Sequence, residues 1–289
     1  MMTSLPIVQR GLRAASRRPS TRRIRCWTAL LAIGASFIAL AAGFAIPGAG
    51  NSANPLFGVQ TTCAFGLALM AGVFLTSDCL SEEKREGTLG LLLLTDLKST
   101  DLVLGKFAAA AVTALYCLLA LLPVTAVPLL QGGVTLGEFW RMALALVNAM
   151  FFSLAAGLCV SAFVNDYARA LGSTLVLVVL TVVGLPALAA FGSGSALSAG
   201  WFYFAWTSPF YAFAGAGDAT YTTQPAMFWV SLFASQLLGW GFLGLANVAL
   251  AQLWPNGRIW ALGKYFERPA QSIRAGAVAS RRPRARTSP

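Results

Sequence analysis

The residues best suited to chemistry lie in one stretch, Asp78 to Lys106. Glu82-Glu83-Lys84-Arg85-Glu86 sets five charges of both signs in succession; Gly87, Thr88 and Leu89 follow, then Leu92, Leu93, Lys98 and Lys106. Six of the ten acidic residues fall here: Asp78, Glu82, Glu83, Glu86, Asp96 and Asp101. On a helix Glu82 and Arg85 are three apart and attract, whereas Glu82 and Glu86 are four apart and repel. That balance does little for an isolated helix, so the charges suit solvent or a partner surface. Gly87 breaks the charged turn. Thr88–Leu94 is then apolar on most faces, with Leu89, Leu92 and Leu93 on one stripe, and at some seven residues it is too short to span a membrane. It must lie on a membrane surface or against protein. Asp96-Leu97-Lys98-Ser99 turns the chain, Thr100 can cap the next helix, and Asp101 suits its positive N-terminus. Lys106 stands where a lysine can snorkel to the interface. The chemistry on offer is recognition: a docking surface for a soluble partner, or a mere interfacial connector. The residues alone leave both open.

Other chemistries are missing. With no histidine in the chain, Ser-His dyads and His-ligated metals are excluded. The five cysteines, Cys26, Cys63, Cys79, Cys117 and Cys159, show no CxxC spacing and read as small core residues. Gly105-Lys106 is not a phosphate loop, because that loop's first glycine would fall at Thr100 and Phe107 replaces the Ser or Thr after the lysine. The apolar segments hold no Asp, Glu or Lys fit to relay protons or bind a coupling ion. Their notable polar residues, Asn148, Gln236 and Asn247, read as interhelical hydrogen-bonders. No catalytic residue, cofactor site or metal site is expected on this chain. Whatever drives it acts from outside.

The elements that must position the 78–106 stretch are membrane helices. Hydrophobic residues make up 57 % of 289, charged residues 11 %, and mean hydropathy is +0.69, values of an all-α polytopic membrane protein. Six segments can each cross roughly 30 Å of hydrocarbon at about 20 residues: 27–46, 56–77, 107–130, 139–163, 171–191 and 226–250. The chain therefore divides into a basic amphipathic segment (1–25), a six-helix transmembrane domain (26–253) and a basic tail (254–289). Leu5, Val8 and Leu12 alternate with arginines at helical spacing in the first segment, as in a helix lying in the interface. The first span reads as a retained signal anchor. Twenty of the 21 positive charges fall on one side if the N-terminus is inside, which puts both termini in the cytoplasm. The exception, Arg141, has Glu138 three residues before it as a partner. Topology and lipid contact account for the basic charge, and no nucleic-acid partner is expected.

Two further patterns stand out. Ala145, Ala149, Ser153, Gly157 and Ser161 recur every four residues in the fourth span, a small-residue stripe that lets helices pack closely. The outer segment 192–225 is dense in aromatics from Trp201 to Phe213, and Pro209 forbids one continuous helix there. Broken interfacial or re-entrant helices and a plain aromatic belt are both compatible with it. The last ten residues, Ser280 to Pro289, have almost nothing to bury and read as disordered.

Glu82-Glu83-Lys84-Arg85-Glu86-Gly87-Thr88-Leu89, through Leu91–Leu97 to Leu104-Gly105-Lys106, resembles the hallmark of ATP-binding-cassette (ABC) type-2 transport permeases. The opening Leu5-Pro6-Ile7-Val8 to Arg17-Arg18 is similar to that family's elbow segment, and Ser208-Pro209-Phe210 to its outer segment. Gly11 departs from it, standing where the family often has an acidic residue. The resemblance implies a permease subunit in a bacterial cytoplasmic (inner) membrane, paired with a second permease as homo- or heterodimer. Separate ABC ATPase subunits would hold ATP and Mg and dock on 82–106, the coupling element between spans two and three. It also implies export. The competing readings are a secondary transporter or channel, disfavoured by the empty charge inventory of the spans, and a membrane enzyme or assembly factor without an ATPase, disfavoured by the lack of histidine.

Overall fold

The computed structural model describes residues 53–86, 99–192 and 205–279. The expected elbow, the first span (27–46), Gly87, Thr88, Leu89, Leu92, Leu93, Lys98 and the 280–289 tail lie outside the described residues. Among those described, every regular element is a helix. In chain order they are α1 (Ala53–Leu75), α2 (Cys79–Glu86), α3 (Ser99–Thr125), α4 (Val127–Leu130) and α5 (Leu136–Phe163). There follow α6 (Tyr167–Val179), a π turn (Leu180–Gly184), α7 (Leu185–Gly192), α8 (Pro209–Ala214), α9 (Asp218–Thr223) and α10 (Pro225–Ala279). Five stretches are long and apolar enough to cross a membrane: Phe57–Ser81, Ser99–Leu130, Leu136–Phe163, Tyr167–Ala189 and Pro225–Gln252.

These five match the second to sixth expected spans, with shifted ends. The third span is helical from Ser99, so Thr100 lies inside the first turn instead of capping it. The last helix carries past Trp254-Pro255 to Ala279. Between α4 and α5 the chain reverses at Gly132, whose φ of 77° favours a residue without Cβ.

The bundle is built around α5, whose most apolar window is 72 % buried, against 17 % for the window in Tyr167–Ala189. It packs chiefly on α1 and α10, and touches α2, α3, α6 and α8. Three apolar clusters stack along it. One lies at the α1–α2 junction (Leu80, Leu102, Leu158, Ala246), one in the middle (Leu69, Leu118, Leu154, Val178) and one at the opposite end (Phe57, Met142, Phe228).

The π turn has a cause in the sequence. Pro186 lacks the N–H that Val182's carbonyl would accept in an α-helix, and its ring crowds that carbonyl. The chain widens instead, so that Leu185 N–H bonds Leu180 O, five residues back. Ser208 Oγ donates to the freed Val182 carbonyl at 3.4 Å, while accepting from Phe210 N at 3.2 Å as the N-cap of α8. Pro209 sits comfortably at the first helical position, and α8 and α9 are two short helices among the described residues of 192–225.

Candidate functional site

α2 and the start of α3 flank residues 87–98, and both are anchored. After α1 a turn over 76–78 redirects the backbone, with Cys79 N–H bonded to Thr76 O at 3.2 Å. A short helix needs acceptors for its first amides. Those of α2 come from another helix: Ser161 Oγ of α5 accepts Leu80 N–H at 2.9 Å and Ser81 N–H at 3.1 Å. Ser81 Oγ donates to Asp78 Oδ1 at 2.6 Å, holding an acid at the positive end of α2.

Lys106 closes the other side. Its Nζ lies 2.7 Å from Glu83 Oε1 and donates to Cys79 O at 2.6 Å, with both charged side chains 20 % exposed. Lys106 is therefore turned into a clasp between α3 and α2, where snorkelling to the interface was expected. Ser99 Oγ donates to Asn247 Oδ1 at 2.9 Å, tying the first residue of α3 to α10. Leu80, Leu102, Val103, Leu158 and Ala162 fill the space beneath. Nearby, the exposed Arg169–Asp166 pair at 3.7 Å adds little.

Of the other residues singled out by pattern, Glu82, Lys84, Arg85 and Glu86 lie on the backbone of α2. Ala145, Ala149, Ser153, Gly157 and Ser161 are all buried on α5. Ser153 Oγ donates to Ala68 O of α1 at 2.9 Å, and Thr76 Oγ1 donates back to Leu154 O at 3.0 Å. Between these bonds the backbones meet at Gly72 and Gly157, where a Cβ on Gly157 would collide with Thr76 Oγ1 and stand 2.5 Å from Gly72 O. Gly72 belongs to a four-residue period of small residues on α1, Ala64, Ala68, Gly72 and Thr76, which is the sequence signal that could have found it. Sequence pattern did not show Ser161 as a cap, because its partners are about 80 positions away.

The opposite end carries a second anchored cluster. Arg141 pairs with Asp218 of α9, not with Glu138. Its Nε donates to Ala216 O at 3.1 Å and its guanidinium lies 4.1 Å from the Tyr221 ring centroid. Thr135 Oγ1 caps α5 by accepting Glu138 N–H at 3.1 Å and donates to Asp218 Oδ2 at 2.6 Å. Local spacing favoured Glu138, three residues away, but the fold brings a carboxylate from 77 residues away to the same guanidinium. In the middle of the bundle Asn148 Nδ2 donates to Ser235 Oγ at 2.7 Å, so Asn148 and Asn247 both bridge helices, whereas Gln236 is half-buried on α10.

Among the described residues, the α2 end is a set of polar anchors over an apolar cluster, with no group of His, Cys, Asp and Glu that could hold a metal ion. Short polar bonds join one brief charged helix to two spans, α3 and α5. A family model described as "ABC-2 family transporter protein" matches residues 18–245. No curated protein matches the chain.

Proposed function

The chain belongs to the ABC-2 transporter family, a multi-pass membrane permease of an ABC transporter, and on that premise we propose that separate ATPase subunits drive it through residues 82–106. The observation that carries this reading is the anchoring of α2 to α3 by Lys106 and to α5 by Ser161. A loop that merely joined two spans would not need such ties. Glu82, Lys84, Arg85 and Glu86, with Gly87, Thr88, Leu89, Leu92, Leu93 and Lys98, form the face offered to the ATPase. Glu83 and Lys106 hold that face to the bundle.

In the mechanism, ATP closes the ATPase pair and displaces the 88–94 segment. The displacement reaches α2, whose ties to α3 and α5 tilt the spans between inward-open and outward-open states. This chain supplies no ATP site; ATP and Mg belong to the partner. The full domain is six spans (26–253), preceded by the interfacial segment 1–25 and followed by the basic tail 254–289. Both termini are cytoplasmic in a bacterial inner membrane, and the permease works as a homo- or heterodimer that exports its substrate. The lysine and arginine asymmetry supports the orientation; family likeness supports dimer and direction.

Coexpression with a candidate ATP-binding-cassette ATPase, sought first in the adjoining reading frame, tests this. The two should co-purify in detergent, and replacing Gly87-Thr88-Leu89 with charged residues should separate them. Association and ATP-driven transport that survive the replacement would overturn the assignment.

A further inference from the structure

We infer that Ser161 is the positioning residue that passes motion of α2 into α5, an inference that rests on the docking reading above. Three routes lead from α2 into the bundle, and they differ in slack. The covalent route to α1 crosses the turn over 76–78, which interrupts the helix although Thr76 and Ser77 are buried. The route to α3 runs through the Lys106 side chain, a stem four methylenes long. The route to α5 is a single hydroxyl on a short stem, bonded to two successive amides, with Ser161, Leu80 and Ser81 all 0 % exposed. No water can substitute there, and no side chain can swing to absorb a shift.

What lies below Ser161 extends the route. Leu80 of α2 packs in one cluster with Leu158 and Ala162, which flank Ser161 on α5. One turn further in, Gly157 is locked against Gly72 of α1 at backbone contact. A push on α2 therefore enters the most buried span of the bundle, the one that touches nearly every other. Ser161 belongs to the small-residue stripe, but its hydroxyl does what alanine at the same place would not.

The test uses Ser161→Ala, which deletes both bonds, and Ser161→Thr, which keeps a hydroxyl. In the permease–ATPase complex in nanodiscs, hydrogen exchange is followed at Leu80 and Ser81 and across 155–163, with and without a non-hydrolysable ATP analogue. Ser161→Ala should speed exchange of the two amides about tenfold, leave the middle of α5 unchanged, and keep the ATPase bound. The nucleotide-dependent change across 155–163 should fall to roughly a fifth or less, and Ser161→Thr should restore it to within about twofold. An undiminished change in Ser161→Ala, or amides that exchange no faster, would overturn the inference while the docking reading stood. A wild-type chain that retained no ATPase would overturn both.

Discussion

Gly72→Ala should be among the most costly single-methyl additions in this chain, and the reason is geometric. A Cβ at position 72 would overlap the Ser153 carbonyl and stand 2.7 Å from Leu154 N, all backbone atoms of α5. Backbone cannot rotate aside as a side-chain tip can, so α1 and α5 must part. Ordinary contact begins near 3.4 Å, so the Leu154 contact alone demands a separation of about 0.7 Å. Overpacking of that kind costs about 1–3 kcal/mol. The parting also stretches the Ser153–Ala68 and Thr76–Leu154 bonds that flank the site, each worth about 0.6 kcal/mol between membrane helices. Alanine returns up to about 1 kcal/mol of helix propensity, leaving a net loss of about 1–3 kcal/mol. Gly66, on the same helix, has nothing within 4 Å of its ideal Cβ, and Gly66→Ala should be neutral or slightly stabilising. Reversible unfolding in mixed micelles by titration with SDS reads both. The two variants should differ by at least about 1.5 kcal/mol; equality within about 0.5 kcal/mol would refute the close approach of α1 and α5.

Lys106→Gln and Glu83→Gln should each destabilise by about 1–3 kcal/mol, and the double variant should show coupling of about 1 kcal/mol or more, with little salt dependence for so sheltered a pair. Arg141→Ala should raise hydrogen exchange over 215–224 about tenfold while leaving Leu80 and Ser81 unchanged, since its three contacts all lie at the far end. Pro186→Ala restores an N–H for the Val182 carbonyl, so Ser208→Ala should cost less in that background than in the wild type, by about 0.5–1 kcal/mol in an unfolding cycle.

Much of the architecture was legible in the sequence because hydrocarbon thickness sets span length and lipid leaves few options besides helix. What sequence misjudged lies where charge meets those spans. Thr100 read as the cap of the third-span helix, yet the helix already includes Ser99; Lys106 read as snorkelling to the interface, yet it finds Glu83 and Cys79 O. Arg141 read as the partner of Glu138 because spacing reports only neighbours within a turn, whereas Asp218 arrives through α9. The small-residue stripe was visible as a four-residue period. The glycine it meets on α1 lies in a matching period, Ala64, Ala68, Gly72 and Thr76, but which stripe meets which, and the hydroxyl that reaches out to cap α2, depend on helix pairing that no single-helix pattern encodes. The π turn was readable in principle from Pro186 within an apolar run, but the donor that answers it, Ser208, is 26 residues on from the Val182 carbonyl.

The central claim is that residues 82–106 receive a separate ATPase. Its most direct measurement is affinity between the purified permease in nanodiscs and a candidate ATP-binding-cassette ATPase, for wild type and for a variant with Gly87-Thr88-Leu89 made charged. The account predicts binding by the wild type that the charged variant weakens at least about a hundredfold. Equal affinity of the two for the ATPase would contradict it.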